Sequence, residues 1–419
     1  MKILRIRGGM PLEGELVVSG SKNAALPILA ATLLIRQPIE LIGLPEIGDT
    51  HEMLNLLRLR GAFVEHLERG RYRIDTNGII TLGTPHFRDS RLRGSIYLLG
   101  AGLAAFGESA VGLPGGCNFG ERPIDLHLDA FRALGAEISL ENGGIFVKGD
   151  RLHAGEIKLA YPSVGATVNA ILAACGASGR SVIRGIAREP HVLDLIRFLV
   201  CAGAKIYLPD ADTAVVWGKE KLRAESYRII PDMIEAGTYL LAAAATRGAI
   251  RLRHAPADQL KSLLPMLSAS GCEIAQNRAD EIFLRMRKRP DPIIARTEPY
   301  PGFPTDLHPP LAAYLLRCKG EGFITEDVFQ TRFRYLEGLR RFGGEISLEQ
   351  NTVKIVGQSE LIGARVEAPD LRGAAASLIA SLMAEGESLM LSPDLLYRGY
   401  EAPIAKLRRL GLIISDGVV

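Results

Sequence analysis

Apolar and polar positions along the chain fall into a unit that recurs six times. Helices rich in alanine and leucine and almost free of charge are predicted at residues 21–34, 92–107, 163–179, 234–248, 303–320 and 370–386, a spacing of about 70 residues. Most are followed by a short apolar stretch that reads as a strand, as at 181–184 and 387–391. A second helix follows in each unit, at 51–60, 126–134, 192–202, 258–270, 334–342 and 403–410. This one is amphipathic, with a charged face. Each ends at a glycine (Gly61, Gly135, Gly203, Gly271, Gly343, Gly411), a residue able to take the left-handed conformation that closes a helix. Alternation at 136–140 and 144–148 then predicts paired strands. The repeat therefore reads β-α-β-α-β-β.

The two helix types belong in different places. A helix apolar all round must be surrounded by protein, whereas one with an Arg/Glu/Lys face covers a sheet and meets water. Six such units exceed one core, so the predicted fold class is α/β, with two similar globular domains of three repeats each. The last repeat, 411–419, stops short of a full hairpin, and the first strands of the chain can complete it. That assigns residues 22–230 to one domain and 1–21 with 231–419 to the other. Two short crossings, near Ser21-Lys22 and Ile230-Pro231, imply a hinge and a cleft that opens and closes.

Composition narrows the function classes. A 419-residue chain with 47% hydrophobic and 23% charged residues is that of a soluble globular protein, and its net charge of +3 offers no large basic field for nucleic acid. Five cysteines without a C-x-x-C pair fit free thiols in a reducing, cytoplasmic compartment, and no metal or cofactor site is indicated. Residues 1–9 alternate like a strand and lack the apolar core of a signal peptide. Apolar runs such as 239–245 are far short of a membrane span.

Candidate chemistry begins at 113–126, Leu-Pro-Gly-Gly-Cys-Asn-Phe-Gly-Glu-Arg-Pro-Ile-Asp-Leu. A glycine-flanked Cys117 on a loop, with Arg122 nearby to favour its thiolate, suits chemistry; a small residue in a tight turn is the plainer alternative. Cys175, Cys201, Cys272 and Cys318 read instead as small core residues. Helix starts favour anions. At or near them stand Lys22-Asn23, Arg91 and Arg93, Ser163-Val164-Gly165, Asp306, and Asp370-Leu371-Arg372, while Arg122, Arg332 and Arg398 lie in loops or at outer helix starts that could join them. Gathered at one cleft, these would hold a phosphorylated substrate. Taken singly, the basic residues read equally as solvated charges, and Ser163, Asp306 and Asp370 as helix caps. His127 and His191 have no Ser/Asp or metal-ligand partner at recognisable spacing, so hydrolase triads, zinc sites and P-loops find no support.

The motifs Gly20-Ser-Lys-Asn-Ala-Ala-Leu-Pro27, Leu113-Pro-Gly-Gly-Cys117, Arg122-Pro-Ile-Asp-Leu-His127, Ser163-Val-Gly-Ala-Thr167, Arg188-Glu-Pro190, Phe303-Pro-Thr-Asp306, Val328-Phe329 with Arg332-Phe333, Asp370-Leu-Arg372 and Arg398-Gly-Tyr-Glu401 run the length of the chain. In them the chain resembles the UDP-N-acetylglucosamine enolpyruvyl transferases of the EPSP synthase superfamily. The resemblance implies paired inside-out α/β barrels, an active site between them, and transfer of enolpyruvyl from phosphoenolpyruvate to the 3-hydroxyl of UDP-N-acetylglucosamine in peptidoglycan synthesis. It implies small-molecule substrates only, with no cofactor, metal, nucleic acid, membrane or obligate protein partner. Lys22, Asn23, Arg122, Arg332, Arg372 and Arg398 would hold phosphoenolpyruvate. Arg93, Arg122, Pro123, Ile124, Asp125, Leu126, Tyr161, Pro162, Ser163, Val164, Gly165, Asp306 and Val328 would contact the UDP-sugar. Catalysis would fall to Cys117, Asp306, Lys22 and Arg398, with Cys117 the proton donor, the site of a pyruvate adduct and the thiol alkylated by fosfomycin. Two positions depart from the pattern: Tyr161, where some members have lysine, and Tyr397, where aspartate is common. A different acceptor, or a silent relative that only binds, are the competing expectations.

Overall fold

A computed structural model describes residues 2–35, 37–86, 89–113, 124–141, 143–329 and 331–418. By internal contacts the described chain divides into two units, one of residues 20–113 with 124–230 and one of 2–19 with 231–418.

In the first unit the helices Lys22–Ala31, Tyr97–Phe106 and Val164–Gly176 form the centre. Their small residues let backbones approach. A Cβ on Gly100 would lie 2.7 Å from the carbonyl oxygen of Asn169, and one on Gly176 would lie 2.4 Å from the Cα of Ala104. Three sheets surround them. Ile39–Ile42 and Arg180–Arg184 each pair antiparallel with one strand of a following hairpin, Phe63–Glu68/Arg71–Asp75 and Lys205–Tyr207/Thr213–Trp217, and parallel with a third segment, Ser226–Arg228 and Glu156–Lys158. The sheet of Glu108–Gly112, Gly144–Lys148 and Glu137–Glu141 has three strands among the described residues.

The second unit is built alike on Met233–Ala245, His308–Leu315 and Leu371–Met383, in which every residue is buried. Apolar residues on every side leave these helices no face for water, and the few polar side chains among them, such as Glu235, His308 and Arg372, are buried with the rest. Lys2–Arg7 lies between Glu387–Leu391 and Ile413–Val418, antiparallel to both, so the start of the chain supplies the strand its last repeat lacks. Glu13–Val17 runs parallel to Ala249–Arg253 at the edge of a second sheet, and Ile294–Thr297, Glu321–Glu326, Thr352–Val356 and Glu345–Glu349 form the third.

The β-α-β-α-β-β order is clearest from Glu156–Lys158 to Thr213–Trp217. All six sheets are open, and among the described residues none closes into a barrel. The six helix-ending glycines have φ between 85° and 107°. Boundaries differ most in the fourth and fifth repeats. Pro265 must sit in the first turn of a helix, so 258–270 resolves into a 3₁₀ turn, Ala257–Gln259, and a helix, Leu263–Ala269. Pro309 and Pro310 likewise place the start of the fifth central helix at His308, after the turn Thr305–Leu307. Among the described residues no helix is long and apolar enough to cross a membrane.

Candidate active site

The turn Thr305–Leu307 exists because two prolines delay the helix behind it, and it holds Asp306 out from the helix start. Arg332 Nη2 lies 2.9 Å from Asp306 Oδ1, and Arg372 Nη2 lies 2.9 Å from Oδ2. The arginine side chains are 3% and 5% exposed against 24% for the carboxylate, so the guanidiniums are buried and the acid faces outward between them.

Each arginine is held from behind. Arg332 Nη1 donates to Thr305 Oγ1 at 2.9 Å, and its guanidinium carbon stands 5.1 Å from the ring centre of Phe329. Arg372 follows Asp370, whose side chain accepts from the backbone N–H groups of Arg372 and Gly373 and caps the helix. Arg372 Nη1 donates to Tyr400 Oη at 3.1 Å. Burial works against charge on Arg372, and Asp306, Tyr400 and Asp232 together outweigh it, so its pKa is raised. Arg398 ends the turn Pro393–Arg398, two residues before Tyr400, and is half-buried beside the exposed Tyr397. Val328 is partly exposed, with its N–H donated to Glu326.

In the other unit Lys22 and Asn23 open the first central helix behind the Ser21 cap. Lys22 Nζ donates to Asp49 Oδ2 at 3.2 Å. Ser163 caps Val164–Gly176 by accepting from the Ala166 N–H at 3.4 Å, and Val164 and Gly165 are half-buried at its start. Tyr161 and Pro162 are exposed just before it; burial and the charge of Asp125 raise the Tyr161 pKa. Asp125 and Leu126 begin the helix Asp125–Ala133 after the half-buried Ile124. Under this group lies His127, buried against Gly165 and 2.8 Å from Asn169 Nδ2. Burial, with the nearby Arg93, lowers the His127 pKa to about 4, and burial also lowers that of Arg93.

Cys117, Arg122 and Pro123 lie outside the described residues. The structure thus brings together Asp306, Arg332 and Arg372 in one unit, and in the other sets Arg93 and Gly165 near His127 and Tyr161 near Asp125. One expectation is corrected. Cys201 is exposed, because it ends the outer helix Pro190–Cys201 on the side away from the sheet, whereas Cys272 and Cys318 are buried and burial pushes their thiols up to about 12 and 11. Asp49, Asn169 and Glu326 were not legible as partners of the site. Glu326 lies with Ile324 on the inward face of Glu321–Glu326, a placement the burial pattern shows and the sequence of that strand does not signal.

Among the described residues no group of three or more His, Cys, Asp or Glu side chains could hold a metal ion. The sequence model of the EPSP synthase (3-phosphoshikimate 1-carboxyvinyltransferase) family matches residues 6–407. The chain is 41% identical over 408 residues to UDP-N-acetylglucosamine 1-carboxyvinyltransferase 3 of Caldanaerobacter subterraneus subsp. tengcongensis, with 97% of each chain covered. It is 41% identical over 420 residues to UDP-N-acetylglucosamine 1-carboxyvinyltransferase of Escherichia coli, with 99% of each covered. In fold it is similar to the enolpyruvyl transferase NikO from Streptomyces tendae, with a TM-score of 0.91 at 24% identity over 100% of this chain and 99% of that one. The chain belongs to the EPSP synthase family, and its similarity within that family is to the UDP-N-acetylglucosamine 1-carboxyvinyltransferases.

Proposed function

We propose that this protein transfers the enolpyruvyl group of phosphoenolpyruvate to the 3-hydroxyl of UDP-N-acetylglucosamine, releasing phosphate, as the first committed step of peptidoglycan synthesis in the cytoplasm. The observation that carries the reading is the partly exposed Asp306 carboxylate between two buried guanidiniums. Such a group can exchange partners. An arriving phosphate or carboxylate competes for Arg332 and Arg372 through bidentate pairing, and frees Asp306 oxygen to accept a proton from the sugar hydroxyl.

Atoms balance in two steps. The sugar oxygen bonds to C2 of phosphoenolpyruvate as its proton passes to Asp306, and Cys117 gives a proton to the methylene carbon, forming a tetrahedral intermediate. The C2–O bond to phosphate then breaks, phosphate departs with the proton that Asp306 took up, and the Cys117 thiolate takes a proton from the new methyl group to restore the double bond, which returns both residues to their starting states. Lys22, Asn23, Arg122, Arg332, Arg372 and Arg398 are assigned to phosphoenolpyruvate and its leaving phosphate, where fixed cations stabilise developing charge. Arg93, residues 122–126, residues 161–165 and Val328 are assigned to the UDP-sugar, whose diphosphate suits the backbone N–H groups at the start of Val164–Gly176. With Cys117 in this role, fosfomycin would alkylate it.

Phosphate release measured with UDP-N-acetylglucosamine, shikimate 3-phosphate and other sugar nucleotides as acceptors tests the assignment. Release with the first alone is expected; release with another acceptor and not with this one would transfer the reading to that substrate.

A further inference from the structure

Glu326 is fully buried at the end of the strand Glu321–Glu326, and the segments that carry Asp306 and Arg332 converge on it. Its Oε1 accepts from Thr297 Oγ1 at 2.8 Å, the Val328 N–H at 2.9 Å and the Phe329 N–H at 2.8 Å. Its Oε2 accepts from Thr305 Oγ1 at 2.8 Å and His308 Nδ1 at 2.8 Å. Burial opposes ionisation of Glu326, and these donors, His308 foremost, outweigh it and hold the carboxyl well below the usual range.

A carboxylate only accepts, and that fixes the direction of every bond around it. The Thr305 hydroxyl gives its proton to Glu326 and therefore offers a lone pair to Arg332 Nη1 at 2.9 Å. His308 carries its proton on Nδ1, so Nε2 accepts from the Tyr335 hydroxyl at 2.8 Å. Thr305 immediately precedes Asp306, and Val328-Phe329 begin the segment leading to Arg332, whose guanidinium stands over Phe329. An amide of the same shape disturbs this pattern, because whichever end carries its NH₂ would face two or three groups that donate to the acid.

We propose that Glu326 is a positioning residue of the transfer reaction, which acts through Thr305 and the Val328–Phe329 backbone to hold Asp306 and Arg332 in register. The meaning of that register rests on the function proposed above. The test uses the full chain with Thr305→Val, Thr305→Ser and Glu326→Gln, comparing steady-state constants for both substrates with thermal midpoints. Thr305→Val is expected to raise the phosphoenolpyruvate KM about tenfold and leave the UDP-sugar KM within about twofold, the size of one lost hydrogen bond to a charged group. Thr305→Ser, which keeps the hydroxyl, should restore both constants, and Glu326→Gln should lower kcat about a hundredfold. Wild-type constants in Thr305→Val, or a Thr305→Ser variant as impaired as Thr305→Val, would overturn the proposal; this pair decides even if Glu326→Gln fails to fold. Absence of transfer in the wild type would strike the functional reading instead. The crystal structure of Thr305→Val then decides the positioning role: Arg332 displaced from Asp306 supports it, and an unchanged pair overturns it.

Discussion

At the scale of single residues, Asp306 has both oxygens engaged by guanidiniums, and an anion that draws an arginine away leaves it a better proton acceptor for an incoming hydroxyl. Asp306→Ala is expected to lower kcat by more than about a hundredfold while UDP-sugar binding persists in calorimetry, since the lost group acts on a proton. Cys117→Ser should do the same without lowering the thermal midpoint. Unchanged turnover in either variant would remove that residue from the mechanism. His127 gives a second prediction. Its folded pKa, about 4, lies below the ordinary value of 6.5, so between these the unfolded chain takes up a proton that the folded protein refuses. Stability is therefore highest above pH 6.5 and falls as pH drops toward 4, by on the order of 3 kcal/mol at most from this group. Urea midpoints at pH 7 and pH 4.5 should differ less in His127→Gln than in the wild type; an equal difference would contradict the assignment. Motifs alone singled out Asp306, Arg332 and Arg372 as candidates, but their pairing joins residues far apart in the chain and was not legible. Asp49 and Asn169 stayed hidden for the same reason, since each meets its partner across separate helices.

At the scale of elements, the central helices could be read from sequence because a run of Ala, Leu and Gly with no charged face has only one stable setting, inside protein. The outer helices could be read because a glycine closes each one at positive φ. Where proline sets the register, as at Pro265 and Pro309-Pro310, the hydrophobic pattern continues past the true helix start and the boundary was missed. The same small residues set how closely helices pack. Gly176→Ala would drive a methyl to 2.4 Å from the Cα of Ala104, a contact with backbone that no rotamer change relieves. A loss of about 1–3 kcal/mol in chemical denaturation is expected. A variant as stable as the wild type would show that these helices can part at no cost.

At the scale of the whole molecule, the first strand completes the last repeat, with Ile3, Leu4 and Ile6 buried between Glu387–Leu391 and Ile413–Val418. Removal of residues 1–7 would expose two unpaired strand edges and the core beneath them. The truncated chain should lose cooperative unfolding of the unit that carries Asp306, Arg332 and Arg372, read by calorimetry; an unchanged transition would contradict this role for the strand. An unfinished hairpin at residues 411–419 was the sequence signal for it. Enolpyruvyl transfer to a UDP-sugar can be read without intermediary by mass spectrometry of the nucleotide after incubation with phosphoenolpyruvate and UDP-N-acetylglucosamine. A UDP-sugar heavier by one enolpyruvyl group, formed together with an equal amount of phosphate, is expected. An unmodified nucleotide, with phosphoenolpyruvate intact, would contradict it.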